Sequence, residues 1–120
     1  MINIRRHRRE IERFYTDRMT LYRYEPVKDP VTKSTMQIPQ IILADQPCRI
    51  SQTGLGKNGQ TEAQNDIQYE TKLFVAPEVE IRQGDLLEVT REAVTRRYEA
   101  GEPFPYSTHQ EVSLQRKEWA

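Results

Sequence analysis

The stretch from Asp66 to Glu92, DIQYETKLFVAPEVEIRQGDLLEVTRE, decides the fold class of this chain. It is rich in β-branched and aromatic residues, which are typical of strands. Within it, RQGD at positions 82–85 predicts a tight turn between VEI and LLEV, because glycine and aspartate favour turn conformations. The segment therefore predicts short β-strands joined by tight turns.

Strand-like patterns continue on both sides of this stretch. They are RMTLYRYE (18–25), QIPQIILAD (37–45), QPCRISQ (46–52) and HQEVSLQRKEW (109–119). The two prolines of residues 26–35 indicate a turn region, and Pro39 and Pro47 restrict their strands to sheet edges or strand starts. We expect a second turn region before the last strand. Six or seven short strands without βαβ alternation predict an all-β domain over residues 18–120, a small β-barrel or sandwich.

The N-terminal residues predict an amphipathic helix instead. At 100° per residue, one arc of residues 4–15 contains the apolar or aromatic side chains Ile4, His7, Ile11, Phe14 and Tyr15. The opposite side contains Arg5, Arg6, Arg9 and Arg13. Asn3 is the predicted N-cap. We therefore expect a basic helical arm over residues 1–17, which needs a surface to pack on because twelve residues form a marginal helix in water.

The charges of this arm are poorly placed for stabilising their own helix. Its arginines crowd the N-terminal end, where the helix dipole disfavours cations, and Arg6 precedes Glu10 in the less favourable order. Residues 1–18 contain six arginines against three acidic residues, so their net charge is +3 and that of the remainder is −3. A solvated face is one interpretation of the arginines. Contact with an acidic partner surface or with DNA phosphates is the other.

Residues 53–65, TGLGKNGQTEAQN, predict a long flexible loop, because they contain three glycines and only one large apolar residue, Leu55. Ordering each residue costs about 1–2 kcal/mol of backbone entropy, which so few apolar groups do not offset.

Composition favours a binding or structural role over catalysis. The 120 residues carry 18 basic and 18 acidic side chains, a balance that argues against a dedicated nucleic-acid binder. The single cysteine, Cys48, excludes an internal disulfide and predicts a buried small hydrophobic residue. Neither His7 nor His109 has acidic residues at metal-ligand spacing, so we expect no enzyme, metal or cofactor. No apolar run reaches about 20 residues and no secretory signal is present, so we expect no membrane contact and a cytoplasmic location.

The segment YEAGEPFPYSTHQEVSL (98–114) combines a turn region with aromatic residues. Gly101 and the prolines at 103 and 105 stiffen it, which lowers the entropy lost on docking. We expect one of Phe104 and Tyr106 to lie in the core and the other at a contact surface.

Taken in order, PCRIS, the glycine-rich loop, YETKLFVAPEVEIRQGDLLEVTR and YEAGEPFPYSTHQEVSL resemble segments of the head-closure or stopper proteins of tailed phages, including the XkdH-type proteins of the PBSX phage-like element and its prophage relatives. The resemblance covers roughly residues 18–116. It implies a small β-barrel that forms a ring below the portal and adaptor of a DNA-filled head, is assembled in the bacterial host cytoplasm, and then remains at the head-tail junction of the virion.

The resemblance also implies roles for particular residues. The loop would close the channel and retain DNA, and its gate residues would be Thr53, Gly54, Leu55, Gly56, Lys57, Asn58, Gly59 and Gln60. Phe104, Tyr106 and His109 would lie on the ring or tail-side surface, near the tail-completion protein. The alternative function from the residues alone is a small OB-like barrel that binds single-stranded nucleic acid.

Overall fold

The protein is represented by a computed structural model that describes residues 3–55 and 68–118. Its elements are α1 (Ile4–Glu12), β1 (Asp17–Lys28), β2 (Thr35–Leu55), β3 (Gln68–Val75), β4 (Leu86–Arg91), β5 (Val94–Ala100), β6 (Phe104–Pro105) and β7 (Gln110–Arg116). No helix in these two ranges has the length and apolar character needed to cross a membrane.

The strands form one antiparallel sheet in the order β3-β2-β1-β4-β5-β7-β6. Strand β3 also pairs with β7, so six of the strands close into a ring and β6 extends the sheet beside the start of β7. The all-β prediction with one N-terminal helix is confirmed. Two strands are longer than expected: β1 has 12 residues and β2 has 21.

The core lies inside this ring and consists of alternate residues of its strands together with Ile81 from the β3–β4 loop. Its buried members are Met19, Leu21, Cys48, Leu73, Val75, Ile81, Leu87, Val89, Tyr98, Ala100, Val112 and Leu114. Burying each large apolar side chain stabilises the fold by roughly 1.5–3 kcal/mol. Cys48 is fully buried, as predicted, and burial raises the pKa of its thiol to about 12.

The predicted turn at residues 82–85 is present. Asp85 N donates to Arg82 O at 3.0 Å, and Gly84 has a φ of 91°, which favours glycine. The prediction of a strand at 79–81 is wrong, because residues 76–85 form a loop. The Gln110 Nε2 atom donates to the carbonyl oxygens of Ala76 (2.9 Å) and Val79 (2.6 Å), so a side chain replaces a strand partner there.

Three other boundaries differ from those predicted. The turn region is shorter than residues 26–35, because β1 continues to Lys28 and β2 begins at Thr35. The two short strands predicted over 37–52 are one strand, β2, which continues through Asp45 even though Asp45 has a φ of 55°. Strand β5 lies in the predicted second turn region. Most of its side chains are exposed, so its sequence did not indicate a strand, although Tyr98 and Ala100 are buried.

The two prolines of β2 lie at a sheet edge, as predicted. Pro39 pairs with Tyr24 and Pro47 pairs with Arg18, both on β1. Strand β3 pairs with β2 only from Arg49 onward, so the opposite edge of β2 has no strand partner at either proline within the described ranges.

Candidate functional site

Four side chains that carry aromatic rings form a continuous row on the outer surface. This row, called here the aromatic row, consists of Phe104, Tyr106, His109 and Phe74. The ring centroids of Phe104 and Tyr106 lie 5.1 Å apart. Tyr106 stacks on His109 with centroids 4.8 Å apart and an interplanar angle of 13°, and His109 lies 5.9 Å from Phe74. The structure therefore brings together the three residues predicted for a contact surface and adds Phe74, which the sequence did not single out.

Strand pairing explains why the row faces outward. Phe104 on β6 and Phe74 on β3 both pair with Glu111 on β7. Directly opposed residues share a face of the sheet, and the neighbours of Glu111, Gln110 and Val112, are buried on the other face. Phe104 is accordingly 61% exposed and Tyr106 46% exposed, so the expectation that one of them lies in the core is wrong.

Polar contacts hold His109 within this row. Its Nδ1 lies 2.9 Å from Thr108 Oγ1, and its Nε2 lies 3.8 Å from Glu111 Oε1. Tyr106 N donates to His109 O at 2.7 Å, which closes the turn between β6 and β7. Within residues 3–55 and 68–118, no group of three His, Cys, Asp or Glu side chains could hold a metal ion. This geometry suits stacking and surface contact.

Helix α1 presents its predicted basic face to solvent. Asn3 accepts from Arg6 N at 3.2 Å, which confirms the predicted N-cap. The side chains of Arg5, Arg6, Arg9 and Arg13 are exposed. Arg6 makes an ion pair of 3.7 Å with Glu10, and the other three have no carboxylate within 4 Å among the described residues. These arginines are therefore accessible to an acidic surface or to phosphate.

A different arginine, Arg8, attaches the helix to the sheet ring. Its guanidinium donates two hydrogen bonds to the carboxylate of Glu78 in the β3–β4 loop, and its Nε lies 3.3 Å from Glu12 Oε1. The hydrogen bonds from Arg8 lower the pKa of Glu78. On the predicted apolar arc, Tyr15 is buried, whereas Ile4 is 49% exposed. The apolar arc is thus only partly covered.

The predicted channel-gate segment is strand in its first part. Thr53, Gly54 and Leu55 pair with β3 as the end of β2, so the prediction that the loop begins at Thr53 is wrong. The pairing with Glu70, Tyr69 and Gln68 provides hydrogen bonds that the segment alone lacks. The other predicted gate residues, Gly56, Lys57, Asn58, Gly59 and Gln60, lie outside the described residues.

The last part of β1 and the first part of β2 form a two-stranded ribbon, residues 23–28 and 35–42. The sequence analysis did not predict this ribbon. Strand β4 pairs with β1 only up to Tyr22 and β3 pairs with β2 only from Arg49, so the ribbon extends beyond the ring. Its large exposed apolar side chains are Tyr24, Val27, Met36, Ile41 and Ile42. Tyr24 lies opposite Pro39 on one face, and Val27 lies opposite Met36 on the other, so both faces are apolar. The sequence did contain a signal for this ribbon, because the strand-like alternation of side chains continues through the prolines of the two segments.

No protein-family model matches the chain, and no curated protein matches it. Among solved structures, its fold is similar to that of the phage-like element PBSX protein xkdH from Bacillus subtilis. The TM-score is 0.50 and the identity is 16%, and the match covers 82% of this chain and 91% of the other. The two proteins share a fold, and one of them comes from a phage-like element.

Proposed function

We propose that the chain is a structural virion protein of a phage or prophage, and that it is the head-closure component of a head-tail connector. The observation that carries this proposal is the fold shared with a protein of a phage-like element over most of both chains. In this role, copies of the chain form a ring below the portal and adaptor proteins, retain packaged DNA and receive the tail-completion protein. The protein is assembled in the cytoplasm of the bacterial host and stays in the virion.

The exposed surfaces support a role in assembly. A closed ring needs two different patches on each protomer, because each copy contacts one neighbour on either side. The ribbon offers a protruding apolar surface, and the aromatic row offers a second exposed surface at β6 and β7. Exposed apolar patches of this kind mark interaction sites. The arginines of α1 provide a third surface, suited to an acidic partner or to DNA.

The test is to delete the gene in a host that produces the phage particles and to compare the particles made with and without it. We expect the protein in purified wild-type particles, and tail-less heads that have lost their DNA in the deletion strain. The proposal would be contradicted by purified particles that lack the protein, or by tail-less heads from the deletion strain that keep their DNA.

Binding of single-stranded nucleic acid is the second candidate, and the exposed aromatic row is the observation that favours it, since bases stack on such rings. Glu111 lies beside Phe104 and His109, and a carboxylate there disfavours a phosphate backbone. A gel-shift experiment at low salt distinguishes the two functions. A shift of an oligothymidine that disappears in the Phe104→Ala and Tyr106→Ala double variant would favour the second candidate.

A further inference from the structure

A groove of about 440 Å³ opens between β2 on one side and the β4–β5 hairpin on the other. Its lining residues are Arg49, Ile50, Ser51, Gln52, Thr71, Val89, Arg91, Glu92, Val94, Arg96 and Tyr98. Thr71, Val89 and Tyr98 are buried and form the floor. Four consecutive residues of β2 line it, although alternate residues point to opposite faces, so the groove runs along the edge of that strand.

The groove carries a surplus of positive charge. Among the described residues, three arginines line it against one glutamate, Glu92. Arg91 is partly engaged, because its Nη1 lies 3.5 Å from Asp17 Oδ2 and donates to Ile50 O at 3.2 Å. Arg96 has no carboxylate within 4 Å among the residues described, and Arg49 lies 5.9 Å from the exposed ring of Phe14. Two guanidiniums are thus left for an acidic ligand.

The edge of β2 beside the groove has backbone groups without a strand partner. Ile50 N donates to Asp17 Oδ2 at 2.9 Å and Ile50 O accepts from Arg91, so both groups point away from β3. Residues two apart in a strand orient their backbone groups alike, so Gln52 and Gly54 point the same way. Strand β1 pairs with β2 only as far as Cys48, and no other strand in the described ranges covers this edge.

We propose that this groove binds an extended acidic peptide segment of a partner protein, which adds to the edge of β2 as a further strand. The N–H and C=O groups of Gln52 and Gly54 have no strand partner on this side within the described ranges, and they form the main-chain hydrogen bonds of β-augmentation. The guanidiniums of Arg49 and Arg96 pair with carboxylates of the peptide, and Val94 and Ile50 contact its apolar side chains.

These features favour a peptide over nucleic acid. A nucleic-acid strand has no groups that would complete an antiparallel ladder. Tyr98, the one aromatic side chain among the described lining residues, is buried and offers no stacking platform. The inference goes beyond the connector proposal and does not depend on it, because it rests on the groove alone.

The test uses the full-length protein and a fluorescein-labelled peptide of alternating glutamate and valine with blocked ends, measured by fluorescence anisotropy. The matched probe has glutamine in place of each glutamate, and an oligothymidine of similar length is the nucleic-acid probe. We expect the acidic peptide to bind and the other two probes to bind at least about tenfold more weakly, because a tenfold change corresponds to one good charged hydrogen bond.

Two pairs of variants locate the site. The Arg49→Gln and Arg96→Gln double variant should weaken peptide binding about tenfold or more. Lys33→Gln with Arg82→Gln removes the same charge at exposed positions outside the groove and should leave the peptide affinity unchanged. Gln52→Pro deletes the N–H that faces the groove without touching the β2–β3 ladder, and should weaken binding more than Gln52→Ala does.

Amide exchange of Gln52 and Gly54 should slow when the peptide is added to the wild-type protein. Absence of binding at millimolar peptide, equal binding of the glutamine peptide, or unchanged binding to the Arg49 and Arg96 double variant would overturn the proposal. If the oligothymidine binds more tightly than the peptide, and the same double variant loses this binding, the ligand of the groove is nucleic acid and not a peptide.

Discussion

The buried carboxylate of Asp85 connects the base of the ribbon to the 82–85 turn. It accepts hydrogen bonds from Arg23 Nε at 2.9 Å and Arg23 Nη2 at 2.8 Å, and from Arg82 N at 2.8 Å. Its side chain is only 4% exposed, so these donors replace the water that the carboxylate loses on burial. The hydrogen bonds with Asp85 raise the pKa of Arg23.

Arg23→Met should therefore lower the free energy of unfolding by about 3 kcal/mol, because it leaves a buried carboxylate without its ionic partner. Urea denaturation of the variant and the wild type measures this. Arg82→Met is the control, since the Arg82–Glu80 ion pair is mostly exposed, and it should cost no more than about 0.5 kcal/mol. Equal effects of the two substitutions would contradict the assignment.

Two buried groups that can lose a proton, the Cys48 thiol and the Tyr15 hydroxyl, predict that alkaline pH destabilises the protein. Burial raises the pKa of Cys48 from 9.0 to about 12 and that of Tyr15 from 10.0 to about 12. A raised folded-state pKa gives stability that is complete below the unfolded-state pKa and is lost as the pH rises toward the folded-state value.

We therefore expect the free energy of unfolding to fall as the pH rises from about 9 to about 12, with a smaller slope in Cys48→Ala. Urea denaturation at a series of pH values tests this. At neutral pH a thiol reagent should leave Cys48 unmodified in the folded protein and modify it in denaturant. An unchanged slope in the alanine variant would show that Cys48 makes no contribution.

At the scale of the element, the ion pair of Arg8 with Glu78 links helix α1 to the sheet ring. Hydrogen bonds from Arg8 lower the pKa of Glu78 below its ordinary value of 4.5. A lowered folded-state pKa gives stabilisation that is present above the unfolded-state pKa and is lost as the pH falls through the folded-state value.

We expect acid to release the helix before the ring unfolds. Amide exchange in residues 4–12, relative to that of an unstructured peptide at the same pH, should accelerate below about pH 4.5 while the relative exchange in the core strands stays slow. Glu78→Gln should show the fast exchange already at neutral pH, and Glu80→Gln should behave like the wild type. Equal exchange of Glu78→Gln and wild type at neutral pH would show that this ion pair does not hold the helix.

The ribbon should matter for assembly and little for folding. Met36 is 55% exposed and Ile41 is 61% exposed, so replacing both with serine removes few buried contacts. The free energy of unfolding of this double variant should stay within about 0.5 kcal/mol of the wild type, while its incorporation into particles falls. Tyr69→Ser, at a residue 53% exposed on β3, is the matched control. Full incorporation of the double variant would remove the ribbon from the proposed interface.

At the scale of the whole molecule, the chain is small and only 36% of its residues are hydrophobic. A chain with so little apolar material lacks the excess that an obligate ring would bury between protomers. The ring proposed for the connector would then form on a portal or adaptor template.

The isolated protein should therefore sediment as a monomer or weak oligomer at micromolar concentration, and closed rings should appear only after a portal or adaptor protein is added. Analytical ultracentrifugation measures both states. A stable closed ring of the purified protein without partners would refute the template requirement.

What the sequence determined by itself is local. Asn3 caps the helix because its side chain accepts from an amide three residues away, and Gly84 makes its turn through its own backbone freedom. Cys48 is buried as its residue type suggests. The all-β class follows from strand-forming residues and turns without helix alternation. Each of these depends on neighbours within a few positions, which a pattern can describe.

What only the tertiary structure decided depends on pairing between distant residues. The β3–β7 pairing closes the ring, the pairing of β6 with β7 turns Phe104 and Tyr106 outward, and Gln110 replaces a strand at 79–81. The groove depends on where β1 stops along β2, since β1 pairs with β2 only up to Cys48. Strand register and edge exposure are set by hydrogen bonds and packing across the sheet, so the residues of one segment alone do not encode them.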